Sequence, residues 1–232
     1  MADAPGPNLD RIELLAPLDP AARMTLVRQC RWRRFQPDEM ILDYQGDTHD
    51  ICFIVEGRVR VVNHSMSGRE ISFDDIPEGG FLGEMSAIDG GPRSASVVAL
   101  TDTLVAFLSA RPFLDLITGH PALALALMRR LTSMNRRSTE RIMDLSTLGA
   151  NNRVHAELLR LARPNLGKDN IAEINPAPIH ADIAARVSTT RETVARALSD
   201  LSRDKLVERR NQSLVVINFK RLQRMVEDVR GE

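Results

Sequence analysis

Residues 81 to 96 run Phe81-Leu82-Gly83-Glu84-Met85-Ser86-Ala87-Ile88-Asp89-Gly90-Gly91-Pro92-Arg93-Ser94-Ala95-Ser96, and most of what this chain can do follows from them. Gly83 permits close backbone approach, and the residues after it open a short helix whose free N–H groups attract an anion. Arg93 offers a planar fork of donors suited to phosphate oxygens, and Ser94 adds a hydroxyl. Glu84 is out of place beside an anion unless it accepts a hydrogen bond, and a ribose 2′-hydroxyl is the natural donor. The bland reading of the same residues is a surface loop closed by a Glu84–Arg93 salt bridge.

On both sides of this stretch the sequence is β-rich. Short runs MILDY, ICFIVEG, RVRVVN, EISFDDI, SASVVAL and TLVAFLS lie between about Arg34 and Ser109, separated by QGDTHD, NHSMSG, PEGG and IDGGPR. Strands at such spacing with turn clusters between them predict a sandwich or jelly-roll barrel. The SMSG turn between RVRVV and EISF predicts a hairpin. Residues 20–31 read as a short helix with Pro20 near its start.

A long helix is predicted from Pro121 to Leu148. Leu127, Leu131, Met134, Ser138, Arg141, Leu145 and Leu148 recur on a 3.5-residue stripe, the pattern of a seam between two helices. The alternative is a helix packed on its own barrel. Ser138 and Arg141 favour the seam, because a core face rarely tolerates them. Residues 149–152 (GANN) read as a helix stop and linker.

The last 80 residues contain RVHAELLRLAR, HADIAARV and RETVARALSDLSRDK, then LVERR and SLVVIN: two helices joined by a tight turn and followed by a hairpin, a winged helix-turn-helix. A final helix is expected over 219–230. Thr190 is a suitable N-cap for a helix starting at Arg191. Arg191, Glu192 and Arg196 then splay across one exposed side, with Val194, Leu198 and Leu201 opposite. Arginine pairs with guanine and glutamate accepts from cytosine, so a glutamate here suits base reading rather than phosphate binding. Thr189, Thr190, Thr193, Arg203 and Lys205 are candidates for phosphate contacts. A generic solvated charged face is the competing reading, and the preceding Ile183-Ala-Ala-Arg-Val187 gives the helix-turn-helix spacing that argues against it.

Composition fits this division. Hydrophobic residues make up 43% and charged residues 27% of the chain, ordinary for a globular protein. Net charge is zero, yet from Asn152 onward there are 15 Lys and Arg against 11 Asp and Glu, a basic half opposite an acidic one. Two cysteines, Cys30 and Cys52, make no disulfide framework, so a reducing cytoplasmic setting is expected. The longest apolar run, Ala122 to Met128, is far too short to span a bilayer. The first residues, MADAPGPNLD, lack the layout of a signal peptide and read as a disordered lead-in.

With both motifs in view, the chain resembles bacterial regulators of the cyclic-AMP receptor protein (Crp/Fnr) family over about residues 12 to 218. F-x-G-E followed by a short helix and R-S-A matches that family's phosphate-binding cassette, R-E-T-V-x-R matches its recognition helix, and Gly46 and Gly57 fall at its barrel turns. The resemblance implies that Gly83, Glu84 and Met85 hold the ribose side, that Arg93 and Ser94 hold the cyclic phosphate, and that small Ala95 lets the strand approach. It implies that Ser138 and Thr139 read the purine, one donated across a homodimer, and that Arg191, Glu192 and Arg196 read a palindromic TGTGA-like site. Cyclic AMP is the implied ligand, with cyclic GMP its rival; double-stranded DNA, a second copy and RNA polymerase are the implied partners. Two positions depart from the family: Met134 stands where it carries a basic residue, and Ser188 where it usually has glycine.

The expected architecture is α+β. A lead-in over 1–11 precedes a nucleotide-binding barrel over 12–120; a dimerisation helix and hinge follow over 121–150, then a winged helix-turn-helix over 151–232. No catalytic or metal site is expected. His64, His120, His155 and His180 are scattered, with no HExxH or Ser-His-Asp pattern, and an iron–sulfur sensor needs four cysteine ligands. The sequence leaves a haem sensor open, and a ligand-blind DNA-binding dimer is the main alternative.

Overall fold

The computed structural model describes residues 8–64 and 70–231, and the chain divides into two compact units, one up to Ser133 and one from Met134 on. The first unit starts with α1 (Pro20–Gln29), whose N-cap Asp19 accepts from the Ala22 amide at 2.8 Å with proline in the first turn. Five strands follow: β1 (Arg31–Phe35), β2 (Met40–Leu42), β3 (Ile51–Glu56), β4 (Arg58–His64) and β5 (Glu70–Pro77). Then come β6 (Phe81–Leu82), α2 (Glu84–Asp89), β7 (Ser96–Ala99), β8 (Thr103–Leu108) and α3 (Ala110–Gly119).

The strands form two antiparallel four-stranded sheets, ordered β1-β8-β3-β6 and β2-β7-β4-β5, the double-sheet arrangement of a jelly-roll barrel. In β3 the run Ile51-Cys52-Phe53-Ile54 is buried throughout because both faces are covered. Cys52 and Ile54 join Phe35, Val59 and Val105 between the sheets, while Ile51 and Phe53 pack outward against Leu15, Phe113 and Leu123. β1 is a sheet edge, and Arg31, Arg33 and Arg34 along it are exposed. Arg33 lies over the Phe35 ring at 4.4 Å and Arg31 over Phe107 at 5.4 Å.

The long helix α4 (Pro121–Thr147) contains the division between the units. Its first turns bury Leu123 and Leu127 and half-bury Leu131 in the barrel-side core. Near its end Asp144 is buried, and Leu148 just beyond it joins the second core.

The second unit continues with α5 (Ala150–Ala162), β9 (Ala172–Ile174), α6 (His180–Arg186), α7 (Arg191–Arg203), β10 (Val207–Arg210), β11 (Ser213–Val216) and α8 (Phe219–Arg230). β10-β11-β9 make a three-stranded sheet beside the helices, which bury Val154, Leu158, Ile183, Val194, Leu201 and Leu222. Charges are buried here too. Asp144 pairs with Arg160 at 3.0 Å and with Arg230, and fully buried Glu157 sits between Arg160 and Arg186. Removing one partner of such a group costs several kcal/mol, roughly 3–5, because the other charge stays buried.

Several expectations need correction. The lead-in does not run to residue 11, since Leu9 is 1% exposed within the barrel-side core. The helix expected over 20–31 ends at Gln29, and RWRRF over 31–35 is a strand; pairing with β8 outweighs its charged composition. GANN is no linker: Gly149 is the N-cap of α5 and residues 150–152 lie in its first turn. Of the expected stripe on α4, Leu127 and Leu131 turn to the barrel-side core and Leu148 joins the second core, while Met134 and Arg141 are half-buried and Ser138 and Leu145 exposed. The apolar side chains α4 leaves exposed are Leu125, Met128, Ile142, Met143 and Leu145. The SMSG turn and residues 1–7 lie outside the described residues.

Candidate functional site

Gly83 ends β6 and caps α2 in a left-handed conformation, φ +84°, that a β-carbon would disfavour. The carbonyl oxygen of Gly83 thereby faces the guanidinium of Arg93, which donates to it from Nη1 at 3.2 Å. Arg93 also donates from Nε to Thr48 Oγ1 at 3.0 Å and from Nη2 to the Asp50 carbonyl at 2.8 Å. Its backbone is fixed as well: its amide donates to Gly46 O at 3.2 Å, and its carbonyl accepts from the Gln45 amide at 2.9 Å. Arg93 is 2% exposed, and its hydrogen-bond acceptors among the described residues are neutral, so a cation is held at the mouth of α2. Three of the guanidinium's five N–H groups are engaged by described residues, leaving two for another acceptor.

Glu84, also buried, makes no ion pair with Arg93, so the salt-bridged loop considered as the bland reading is not what forms. Its carboxylate accepts from its own amide, and burial pushes its pKa up against that bond and the opposing pull of Arg130 and Arg93. A buried carboxylate with lone pairs to spare is a strong acceptor for a hydroxyl. Ser94 is exposed, with its hydroxyl donating to the Met85 thioether at 3.8 Å, and Met85 itself is exposed. Ala95 is half-buried between Ser94 and the start of β7. Burial pushes the Cys52 thiol up to about 12 and Cys30 to about 11, so neither places a negative charge near the cassette.

Two residues of this site were not singled out in the sequence, and a third, Arg130, is one of several arginines near Met134 that the sequence cannot place. Thr48 and Asp50 belong to QGDTHD, which carried only a turn signal. Arg130, on α4, donates to the Phe81 carbonyl at 3.1 Å and stacks on the Phe81 ring at 4.6 Å. A basic residue of the long helix therefore does reach the cassette, one turn before the position counted as Met134. Ser138 and Thr139 are both exposed on α4, Thr139 donating to the Asn135 carbonyl of its own helix at 3.1 Å.

In the second unit Thr190 caps α7, accepting from the Thr193 amide at 3.3 Å. Arg191, Glu192 and Arg196 are exposed on α7 while Val194 and Leu201 are buried and Leu198 half-buried. The Glu192 pKa is lowered, chiefly by its backbone amide and by Thr190, which keeps it ionised and accepting. Thr189 and Thr193 are half-buried beside it. Ser188, in the turn before α7, adopts φ +51°.

A jelly-roll barrel with a cationic cassette, joined by a long helix to a winged helix-turn-helix, defines a DNA-binding transcription regulator with a ligand-binding domain. The Cyclic nucleotide-binding domain model matches residues 32–120 and the Crp-like helix-turn-helix domain model residues 152–225. The chain is 35% identical to the Cyclic AMP receptor protein of Thermus thermophilus, over 75% of this chain and 79% of that one. It is 25% identical to the CRP-like cAMP-activated global transcriptional regulator of Mycobacterium tuberculosis, over 93% of this chain and 97% of that one. A CooA mutant from Carboxydothermus hydrogenoformans shares the fold with a TM-score of 0.80 at 20% identity, over 94% of this chain and 95% of that one. The chain belongs to the Crp/Fnr family of transcription regulators, not to a family of enzymes. No helix among the described residues is long and apolar enough to cross a membrane.

Proposed function

We propose that this regulator responds to cyclic AMP, with cyclic GMP as the competing ligand, and that it acts in the cytoplasm as a homodimer on a palindromic TGTGA-like site. The observation that carries the reading is the pairing of a buried Arg93, two of its N–H groups unengaged by the described residues, with a buried Glu84 to which no described residue donates a hydroxyl. Arg93 and Ser94 take the cyclic phosphate; Gly83, Glu84 and Met85 take the ribose side; Ala95 keeps the strand close. The names of the Thermus and Mycobacterium relatives support cyclic AMP as first choice. Ser138 and Thr139 keep the purine-reading role implied by the resemblance. Arg130 at the cassette favours a register one turn earlier, which gives Asn135 a claim to that role.

Arg191, Glu192 and Arg196 read bases, and Thr189, Thr190 and Thr193 touch phosphates or neighbouring bases. The exposed Leu125, Met128, Ile142 and Leu145 provide the seam for the second copy. Nucleotide binding shifts the population toward the DNA-competent state by its differential affinity for that state. RNA polymerase is the further partner.

A second reading has its own support. Among the described residues the three Arg93 side-chain bonds all hold the barrel's own Thr48, Asp50 and Gly83, which suits a cassette kept as scaffold in a regulator blind to nucleotides. Titration calorimetry with each cyclic nucleotide, followed by binding to a palindromic TGTGA duplex, separates the two. Heat and a ligand-dependent gain in DNA affinity support the first; no heat with either nucleotide overturns it.

A further inference from the structure

The turn that presents the recognition helix contains a residue in an unfavourable conformation. Ser188 has φ +51°, where glycine is at ease and a residue with a β-carbon is not. Two positions later Thr190 caps α7, so the backbone at Ser188 sets the direction in which Arg191 and Glu192 leave the protein.

Arg153 reaches this turn from α5. Its Nε donates to the Val187 carbonyl at 2.8 Å and its Nη2 to the Ser188 carbonyl at 3.1 Å. Its Nη1 donates to the carbonyl of Leu148 at 2.9 Å, in the short connection between α4 and α5. One guanidinium thus joins the helix hinge to the helix-turn-helix turn, across 34 and 35 residues of sequence on one side and 5 on the other. Its planar fork addresses three carbonyls at once, which the point charge of a lysine does not do. Carbonyls at a helix end lack intrahelical partners, so Leu148 gains an acceptor's full partner here.

We infer that Arg153 is a positioning residue for DNA reading: it holds the Ser188 turn in its left-handed form and ties that turn to the hinge carbonyl of Leu148. Backbone movement at the hinge is thereby felt at the base-reading face of α7. The inference rests on the DNA-reading role of Arg191, Glu192 and Arg196, and it is independent of which ligand the barrel takes.

The test is a double-mutant cycle in the full-length chain between Arg153→Met and Ser188→Gly. The probe is a duplex selected from a randomised pool against the wild-type chain, and every titration is run with and without cyclic AMP. Arg153→Met should weaken binding about tenfold at a temperature well below its melting point, the scale of lost charge-assisted hydrogen bonds. Arg153→Lys should show most of that loss. Ser188→Gly, which removes the conformational penalty, should recover at least half of it. An equal loss with serine or glycine at 188 overturns the inference, as does a lowered melting temperature with unchanged affinity. Should Arg153→Met fail to fold, the cycle is run with Arg153→Lys, reading amide hydrogen exchange at Thr189 and Thr190. Exchange that quickens with Ser188 in place, but not in the Ser188→Gly background, supports the clamp, and unchanged exchange overturns it. Whether cyclic AMP alters wild-type affinity bears on the nucleotide reading alone and leaves the cycle interpretable.

Discussion

A β-carbon on Gly83 would stand 2.7 Å from Nη1 of Arg93, closer than real atoms of these kinds approach. It would also stand 2.9 Å from the Asp50 carbonyl, which does not yield as a side chain does. Gly83→Ala should therefore lower stability by about 1–3 kcal/mol, given its positive φ, and displace the guanidinium. Thermal denaturation reads the first effect, and titration calorimetry with cyclic AMP, expected to show lost heat, reads the second.

Arg93→Ala should do more than remove a phosphate ligand. From sequence alone it is expected to spare the fold, but a 2%-exposed guanidinium bonded to Thr48, Asp50 and Gly83 is part of the barrel's interior. Stability should fall by about 1–3 kcal/mol as buried acceptors lose their donor. Denaturant melts should register this without any nucleotide present.

Burial raises the Glu84 pKa, so the folded state holds its proton more tightly than the unfolded chain. The stability this contributes is complete below the ordinary carboxylate pKa and disappears as pH rises through the raised value. Without nucleotide, Glu84→Gln should thus melt higher than wild type at neutral pH, the gap closing on acidification. The same variant should bind cyclic AMP more weakly. A lower melting temperature for Glu84→Gln at neutral pH would sink this account.

The His155 pKa is lowered, mainly by burial, with Asp200 pulling the other way. The unfolded chain binds that proton first, so stability drops as pH falls through the ordinary histidine range. His155→Phe should flatten that slope in melts taken between neutral and mildly acidic pH.

On α4, core and seam should separate cleanly. Leu127→Ala empties a buried site and should cost about 2–5 kcal/mol. Ile142→Glu, at a 63%-exposed position, should leave the melting of each unit nearly unchanged and turn a dimer into a monomer in sedimentation. Arg191→Ala should cost about 1–3 kcal/mol on the cognate duplex and relax one base position, which selection from a random pool would display.

Much of this was legible because each motif combines residue types that rarely meet by accident. Gly83, Glu84, Arg93 and Ser94 suggest an anion site by their chemistry, with a surface loop as the rival until the resemblance is added, and Thr190 before Arg191 gives the start of α7. What escaped was set by partners distant in sequence. Thr48 and Asp50 matter only because Arg93, some 45 residues on, turns inward to them. Arg130 could not be placed from a residue count, because the helix phase relative to the cassette is fixed by Leu123 and Leu127 in the core. RWRRF carries no strand periodicity, and its pairing with β8 is settled by the sheet.

That strand has a further consequence. A margin of unpaired amides invites a foreign strand to dock and extend the sheet, the first step toward fibrous deposits. Along β1 three guanidinium groups guard that margin; Arg34 is tethered to Glu56 and Asp102 at 2.7 and 2.6 Å, and Arg31 and Arg33 lie over aromatic rings. Replacing them with valines would raise the strand's intrinsic β preference and, by the same change, strip away its protection against self-association.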